Sequence, residues 1–271
     1  MSITRRPSPA AGFTLVELMV VVGIIAVLAG LLLPALSYGR FRAKVATCSN
    51  NYRQWCVASA AYASDDGKGR LPSFPLPTDK MTKYSAIQPW FVAYEMVPSM
   101  AAQGVTLPMW FCPLRPVRLQ IKRDNFRHLR GREMATLDDM VDEQKNVQRA
   151  AFMSTDFQWW VPRRLGDSSL EFPDPQWMRT RIPDAWPRRL EDPTISTMPI
   201  ISDWILGGWD DDRTHFLING GSQGHEWGGD VRNVNAGFAD GHVETRPKAQ
   251  LRWQADGSGQ AESPGYLGYV Y

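Results

Sequence analysis

Five side chains in the C-terminal half of the sequence are of the types that bind transition metals or move protons: Asp203, His215, His225, Asp240 and His242. Imidazole with carboxylate suits zinc or a related ion, or the acid–base work of a hydrolase. The spacing argues against both. No H-E-x-x-H pair sets two histidines one helical turn apart, and the histidines fall in expected loops or on a hairpin. On the plainer reading Asp240 sets the hairpin turn and His225 bonds to its own loop. Asp210, Asp211 and Asp212 follow Gly207-Gly208 and offer oxygens to calcium. Three adjacent acids cannot all face one ion, so a solvated acidic loop is expected. The expectation is therefore no bound metal, with Asp203, Asp210, Asp212, His225, Asp240 and His242 as the weak candidates and calcium as the one ion to consider.

Cys48, Cys56 and Cys112 are the remaining reactive groups. Cys48 and Cys56 share one predicted helix and stand roughly 12 Å apart along it, too far to bond each other. At most one disulfide is available, from Cys112 to Cys48 or Cys56. Cys48–Cys112 is the pair carried forward, and three buried thiols is the other reading. The sequence has no G-x-S-x-G, no G-x-x-x-x-G-K and no Cys-x-x-Cys, and no lysine follows the glycines between Gly220 and Gly224. No enzyme is expected. The 271 residues are 44% hydrophobic and 21% charged, with a formal net charge of +2. That balance lacks the basic surplus of a nucleic-acid binder and leaves room for one domain of ordinary size.

The remaining chemical signal lies at the other end of the chain. Gly12-Phe13-Thr14-Leu15-Val16-Glu17 opens an apolar run that ends at Leu36, and Glu17 is its one charge. About 20 apolar residues suffice for a helix to cross a bilayer. A carboxylate near the end of such a helix is costly unless something neutralises it. The basic residues Arg5 and Arg6 and the glycine precede the apolar run, and no small-x-small cleavage site follows it, so this is not an ordinary secretory signal. Arg40, Arg42 and Lys44 flank the far side, so the positive-inside rule does not orient the span.

Residues Gly12 to Glu17, with the short basic leader before them, resemble the signature of type IV prepilins and type II secretion pseudopilins. The resemblance implies cleavage between Gly12 and Phe13 by a prepilin peptidase/methyltransferase, N-methylation of Phe13, and recruitment through Glu17 into a filament of pilin or pseudopilin subunits. It also implies a leader in the cytoplasm and a head on the periplasmic side of the bacterial inner membrane. Cys48-Ser49-Asn50-Asn51, Leu71-Pro72 and Phe111-Cys112-Pro113 resemble a subgroup of large prepilin-type proteins of planctomycete-like and verrucomicrobia-like bacteria. That subgroup carries a histidine shortly before an Asp-Gly, and the gap from His225 to Asp240-Gly241 is longer than its usual one. Major pseudopilins as a family hold calcium in a C-terminal loop, but their ligand pattern is not visible here.

Several elements must position these groups. Residues 1–12 form the leader, 13–64 one long helix with 13–36 transmembrane, and 65–271 the globular head. Pro34 is a site for a kink, and Gly23, Gly30 and Gly39 allow close helix packing. Phe41, Val45, Cys48, Tyr52, Trp55, Ser59 and Tyr62 alternate spacings of four and three, an apolar stripe that packs on the same chain. A basic run from Arg115 to Arg132 pairs with an acidic run from Glu133 to Glu143, and Thr136 caps a short helix reaching about Arg149. Residues 150–200 are rich in aromatics and prolines and read as loops on a small sheet. Pro199 to Asp203 reads as a buried strand. Val234 to Ala239 and His242 to Thr245 read as a hairpin around a two-residue Asp240-Gly241 turn. The fold class is α+β, pilin-like: a long N-terminal helix packed on an antiparallel sheet with loop-rich insertions. Three functions follow, in order of preference: a non-enzymatic filament subunit; a membrane-anchored module that binds polysaccharide, calcium or protein; and an anchored hydrolase built on Asp203, His225, Asp240 and His242.

Overall fold

The computed structural model describes residues 13–76, 89–147, 152–164, 171–172, 186–205, 207–209, 216–218, 224–251, 253–256 and 268–270. Gly12, Asp210, Asp211, Asp212 and His215 lie outside the described residues. The chain divides into two compact units, residues 1–43 and 44–271. One continuous helix, Leu15–Asp65, contributes to both.

Within the first unit every residue from Phe13 to Arg40 is exposed except Ala29, which is half-buried. The helix holds the one span among the described residues that is long and apolar enough to cross a membrane. The helical assignment continues through Pro34. Proline there cannot donate to the carbonyl one turn back, and Ser37 Oγ donates to Pro34 O at 2.8 Å. Gly23, Gly30 and Gly39 have no heavy atom within 4 Å of where a Cβ would sit. Among the described residues, no contact outside the helix's own backbone requires those three positions to be glycine.

The second unit begins with the Lys44–Asp65 part of the helix. Val45, Cys48, Tyr52, Trp55, Cys56, Ser59 and Ala63 are buried and Arg53 is exposed, so the apolar stripe faces the head. Tyr62 is half-buried. Trp55 is fully enclosed, with its ring centroid 4.8 Å from Trp110, 4.9 Å from Phe157 and 5.8 Å from Trp159. Its Nε1 donates to Met109 O at 3.0 Å, which answers the polar edge that a buried indole carries.

The helix packs on a five-stranded antiparallel sheet whose central strand is Asp230–Phe238. Val243–Pro247 pairs with one edge of this strand along its C-terminal part. The other edge is shared end to end: His225–Trp227 pairs with the first half, and Pro199–Asp203 with the second half. Phe157–Trp159 completes the sheet beside Pro199–Asp203. A Cβ at Gly237 would sit 2.6 Å from Cys56 Sγ and 2.9 Å from Ile201 Cγ2. The glycine is therefore what lets helix and sheet approach so closely. The overall fold is mixed α+β, a long N-terminal apolar helix followed by antiparallel sheets.

Two local expectations change. Phe238 N–H donates to His242 O and Gly241 N–H to Phe238 O, both at 3.0 Å. The hairpin loop is thus the three residues 239–241, with Gly241 at φ +93°, rather than a two-residue turn. Three-residue loops place a left-handed residue last, which Gly241 supplies. The basic run also forms a helix of its own, Pro116–Arg130. It starts on a proline and ends at Gly131 in the left-handed conformation, the usual asymmetry of helix ends. It pairs with the acidic run as expected, through Arg130–Asp142, Arg132–Asp139 and Lys122–Glu143. The capped helix Leu137–Asp142 continues into a wider turn, Glu143–Val147.

Candidate functional site

The N-terminal site is built by the helix start itself. Thr14 precedes the first helical residue, and Glu17 is the third residue of the helix. Thr14 N–H donates to Glu17 Oε2 at 2.9 Å, Thr14 Oγ1–H donates to the same oxygen at 2.7 Å, and Glu17 N–H donates to Thr14 Oγ1 at 3.3 Å. This reciprocal pair is a capping box, which satisfies amide groups that the first turn leaves without partners. The sequence reading gave Glu17 an intermolecular role only. The Thr-x-x-Glu spacing ahead of an apolar run already signalled the local one. Both side chains are exposed, as is Phe13.

A second cluster lies inside the head. The strand Pro199–Asp203 stops at Asp203, a separate two-stranded ribbon of Gly207–Trp209 and Phe216–Ile218 intervenes, and the next strand of the same sheet starts at His225. The two feet of this excursion are tied together by Gly224 N–H donating to Trp204 O at 2.9 Å. Gly224 adopts φ +54°, and a Cβ there would press on Val231 and on the Asn233 carbonyl oxygen. Because Ser202 pairs with Ala236 and His225 with Asn233, Asp203 and His225 meet along one edge of the central strand. The helix brings Cys48 to the same point, and the loop after the short turn Leu107–Trp110 brings Cys112. The ligand atoms of Cys48, Cys112, Asp203 and His225 all lie within 4.8 Å of one another, and all four residues are buried.

The contacts inside the cluster are specific. Tyr52 Oη–H donates to Asp203 Oδ1 at 2.8 Å, and Asn235 N–H donates to Asp203 Oδ2 at 2.6 Å. Cys48 Sγ stands 3.7 Å from Asp203 Oδ1. His225 Nδ1 is 2.6 Å from Asn233 Oδ1, so Nδ1 carries the proton and Nε2 turns into the cluster. Nε2 lies 3.2 Å from Asp203 Oδ2, yet its geometry makes no hydrogen bond, and it is a buried nitrogen without a hydrogen-bond partner. Beside the thiols a cavity of about 10 Å³ is lined by Cys48, Tyr52, Cys112, Asp156 and Phe157, among others.

Charge is tightly managed here. Burial pushes the Asp203 carboxyl above its ordinary range, against the pull of His225. Burial opposes the His225 imidazolium, but Asp203 and Cys112 outweigh it and carry the ring up to about 9. The hydrogen bond between the thiols holds Cys112 well below the usual thiol range and raises Cys48. Burial, with Asp203 next, raises the Tyr52 phenol. Arg115 lies within electrostatic reach of Cys112 and Asp203 and donates from Nη2 to Asp156 O at 2.7 Å.

The structure thus joins two of the sequence candidates, Asp203 and His225, and adds two thiols that the sequence reading weighs as a disulfide or as buried thiols but not as ligands. All three cysteines are free and buried in the structure. Cys56 stands apart from the cluster, against Gly237. Asp240 and His242 sit instead at the exposed hairpin loop, where His242 Nδ1 lies 2.6 Å from Asp240 Oδ1 and the ring stacks on Phe238 at 4.0 Å. The hydrolase quartet is therefore not assembled.

Residues 8–33 match the family model of the prokaryotic N-terminal methylation motif. No curated protein and no solved structure matches the chain. The match covers the segment in which Glu17 stands at the head of an exposed apolar helix, and over those residues the chain is similar to proteins that carry a prepilin-type N-terminal methylation motif.

Proposed function

We propose that a membrane peptidase/methyltransferase cuts this chain after Gly12 and methylates Phe13, and that the product assembles with other pilin-type subunits into a pilus or pseudopilus. The leader stays in the cytoplasm and the head stands outside the bacterial inner membrane. The subunit works mechanically, by filament growth, and not as an enzyme. One observation carries this reading: a single carboxylate, Glu17, at the start of a helix whose apolar side chains are exposed among the described residues.

The physical logic follows from that helix. In the isolated subunit the carboxylate is satisfied locally by Thr14. After cleavage the Phe13 amine stands one helical turn from Glu17. A neighbour's amine can then neutralise Glu17 in a low-dielectric setting where unpaired charge is costly. That rewards one axial register between subunits. The open surfaces at Gly23, Gly30 and Gly39 support the same reading, since small residues let membrane helices approach closely.

The test is the intact mass and N-terminal residue of the protein isolated from its native membrane. A chain beginning at methylated Phe13 is the expected result. A mature chain still carrying residues 1–12 would overturn the reading and leave a membrane-anchored binding module in its place.

A further inference from the structure

We propose that Cys48, Cys112, Asp203 and His225 form a closed, four-ligand site for a zinc-type divalent cation, which fastens the Lys44–Asp65 segment of the helix to the sheet. The inference concerns the head alone and does not rest on filament assembly.

Ligand chemistry comes first. Two sulfurs, one imidazole nitrogen and one carboxylate oxygen form a borderline-soft set, which suits zinc and disfavours calcium or magnesium, whose shells are all oxygen. With ligand bonds of about 2.0–2.3 Å, atoms around a tetrahedral zinc stand about 3.3–3.8 Å apart. His225 Nε2 stands 3.2 Å from Asp203 Oδ2 and Cys48 Sγ stands 3.7 Å from the other carboxylate oxygen, Oδ1, so either oxygen chosen as ligand already has one partner close to such a spacing. The four ligand atoms all lie within 4.8 Å of one another, at most about 1 Å beyond the tetrahedral range.

The supporting shell has the form metal sites require. Ligating histidines hold their second nitrogen in a hydrogen bond, which fixes the tautomer. Asn233 does this for His225, and it leaves Nε2 aimed into the cluster with no hydrogen bond. Tyr52 and the Asn235 amide orient the Asp203 carboxylate. Two thiolates and one carboxylate around a divalent ion leave one net negative charge, and Arg115 is placed to offset it. A disulfide would use the two sulfurs and leave the buried aspartate and histidine convergent for no purpose. Four protein ligands leave no open position for a substrate, so the site is structural rather than catalytic. It would tie together residues that lie far apart in the sequence, and its binding energy would add directly to the stability of the head.

The experiment uses the full chain purified in detergent without chelator. Elemental analysis should find one zinc per chain. Chelation followed by cobalt should give the absorption of a tetrahedral, thiolate-bound cobalt ion. Cys112→Ser and His225→Gln should lose both signals, Cys56→Ser should keep them, and Asn233→Ala should weaken zinc binding by about 10- to 100-fold. Should the ligand variants fail to fold, thiol alkylation of the wild-type chain decides. Under non-reducing denaturation with chelator, three alkylated cysteines together with one zinc released support the site. A Cys48–Cys112 disulfide in the isolated protein would overturn the proposal, as would three free thiols with no metal. Zinc retained in full by Cys112→Ser and His225→Gln would also overturn it.

Discussion

Residues 15–36 and 44–65 belong to one helix and meet opposite fates. The first stretch is apolar on every side and exposed almost throughout. The second is apolar on one stripe only, and that stripe is enclosed, with Trp55 and Cys56 fully buried. A helix that is apolar all round needs a bilayer or other helices as solvent, whereas a one-sided helix finds its solvent in its own chain. The same backbone geometry therefore carries two kinds of information. In the first stretch the informative residue is the exception, Glu17. In the second it is the fit of individual side chains, seen where Cys56 and Ile201 close over Gly237.

The largest expected effect separates the two stretches completely. Glu17→Gln removes the charge and should abolish incorporation into filaments, leaving the subunit in the membrane fraction. Heat-unfolding of the head should be unchanged, because among the described residues Glu17 hydrogen-bonds within its own helix start, to Thr14. Comparing sheared filaments with membranes by immunoblot measures the first, and circular dichroism in detergent measures the second. Equal incorporation of the variant would show that the carboxylate serves only as a helix cap, and would favour an anchored binding module.

How much of this was legible in the sequence differs between the same regions. The first stretch was readable because hydropathy and a single charge need no tertiary information. The helix stripe, the Pro199–Asp203 strand and the hairpin around Asp240 were readable from period and turn chemistry. The Pro116–Arg130 helix was not, since its many charges masked a stripe in which only Phe126 is buried. Pro116 and Gly131 marked its ends all the same. The buried cluster was half legible. Asp203 and His225 stood out by type, but their meeting depends on two strands sharing one edge of Asp230–Phe238. Cys48 joined them through helix docking and Cys112 through the loop after Leu107–Trp110. Asp240 and His242 looked equivalent in sequence, and a three-residue loop puts them at the surface instead.

Within the head, Gly237→Ala should lower stability by about 1–3 kcal/mol, the range for overpacking a filled core. The new methyl would meet Cys56 Sγ at 2.6 Å and Ile201 Cγ2 at 2.9 Å. Adding Cys56→Ala should recover part of the loss, because it removes the nearer of the two atoms. Chemical denaturation of the two single variants and the double variant gives the coupling directly. Strict additivity would mean that the helix does not press on the central strand at this point. Neither change should affect filament incorporation per folded subunit, the reverse of the Glu17 result.

The smallest effect tests a helix cap at the edge of the head, built on the buried Asp139. Asp139 caps the Leu137–Asp142 helix by accepting from Ala135 N–H and Thr136 N–H at 2.8 and 3.0 Å, and it pairs with Arg132 Nη2 at 2.6 Å. The guanidinium beside it, helped by those amides, holds the carboxyl well below the usual range. Asp139→Asn keeps a capping oxygen but loses the charge, so it should cost about 1 kcal/mol at neutral pH. The sign with pH follows from the depressed value. The contribution is complete above the unfolded pKa of about 3.9 and is lost as pH falls toward the folded one. The gap between wild type and Asp139→Asn in urea denaturation should therefore be constant from neutrality down to about pH 5 and close below about pH 4. A gap that persists undiminished at the lowest pH where the head still folds would assign the loss to hydrogen-bond geometry rather than to charge, and would leave the Arg132 pair with no measurable role in holding the basic and acidic runs together.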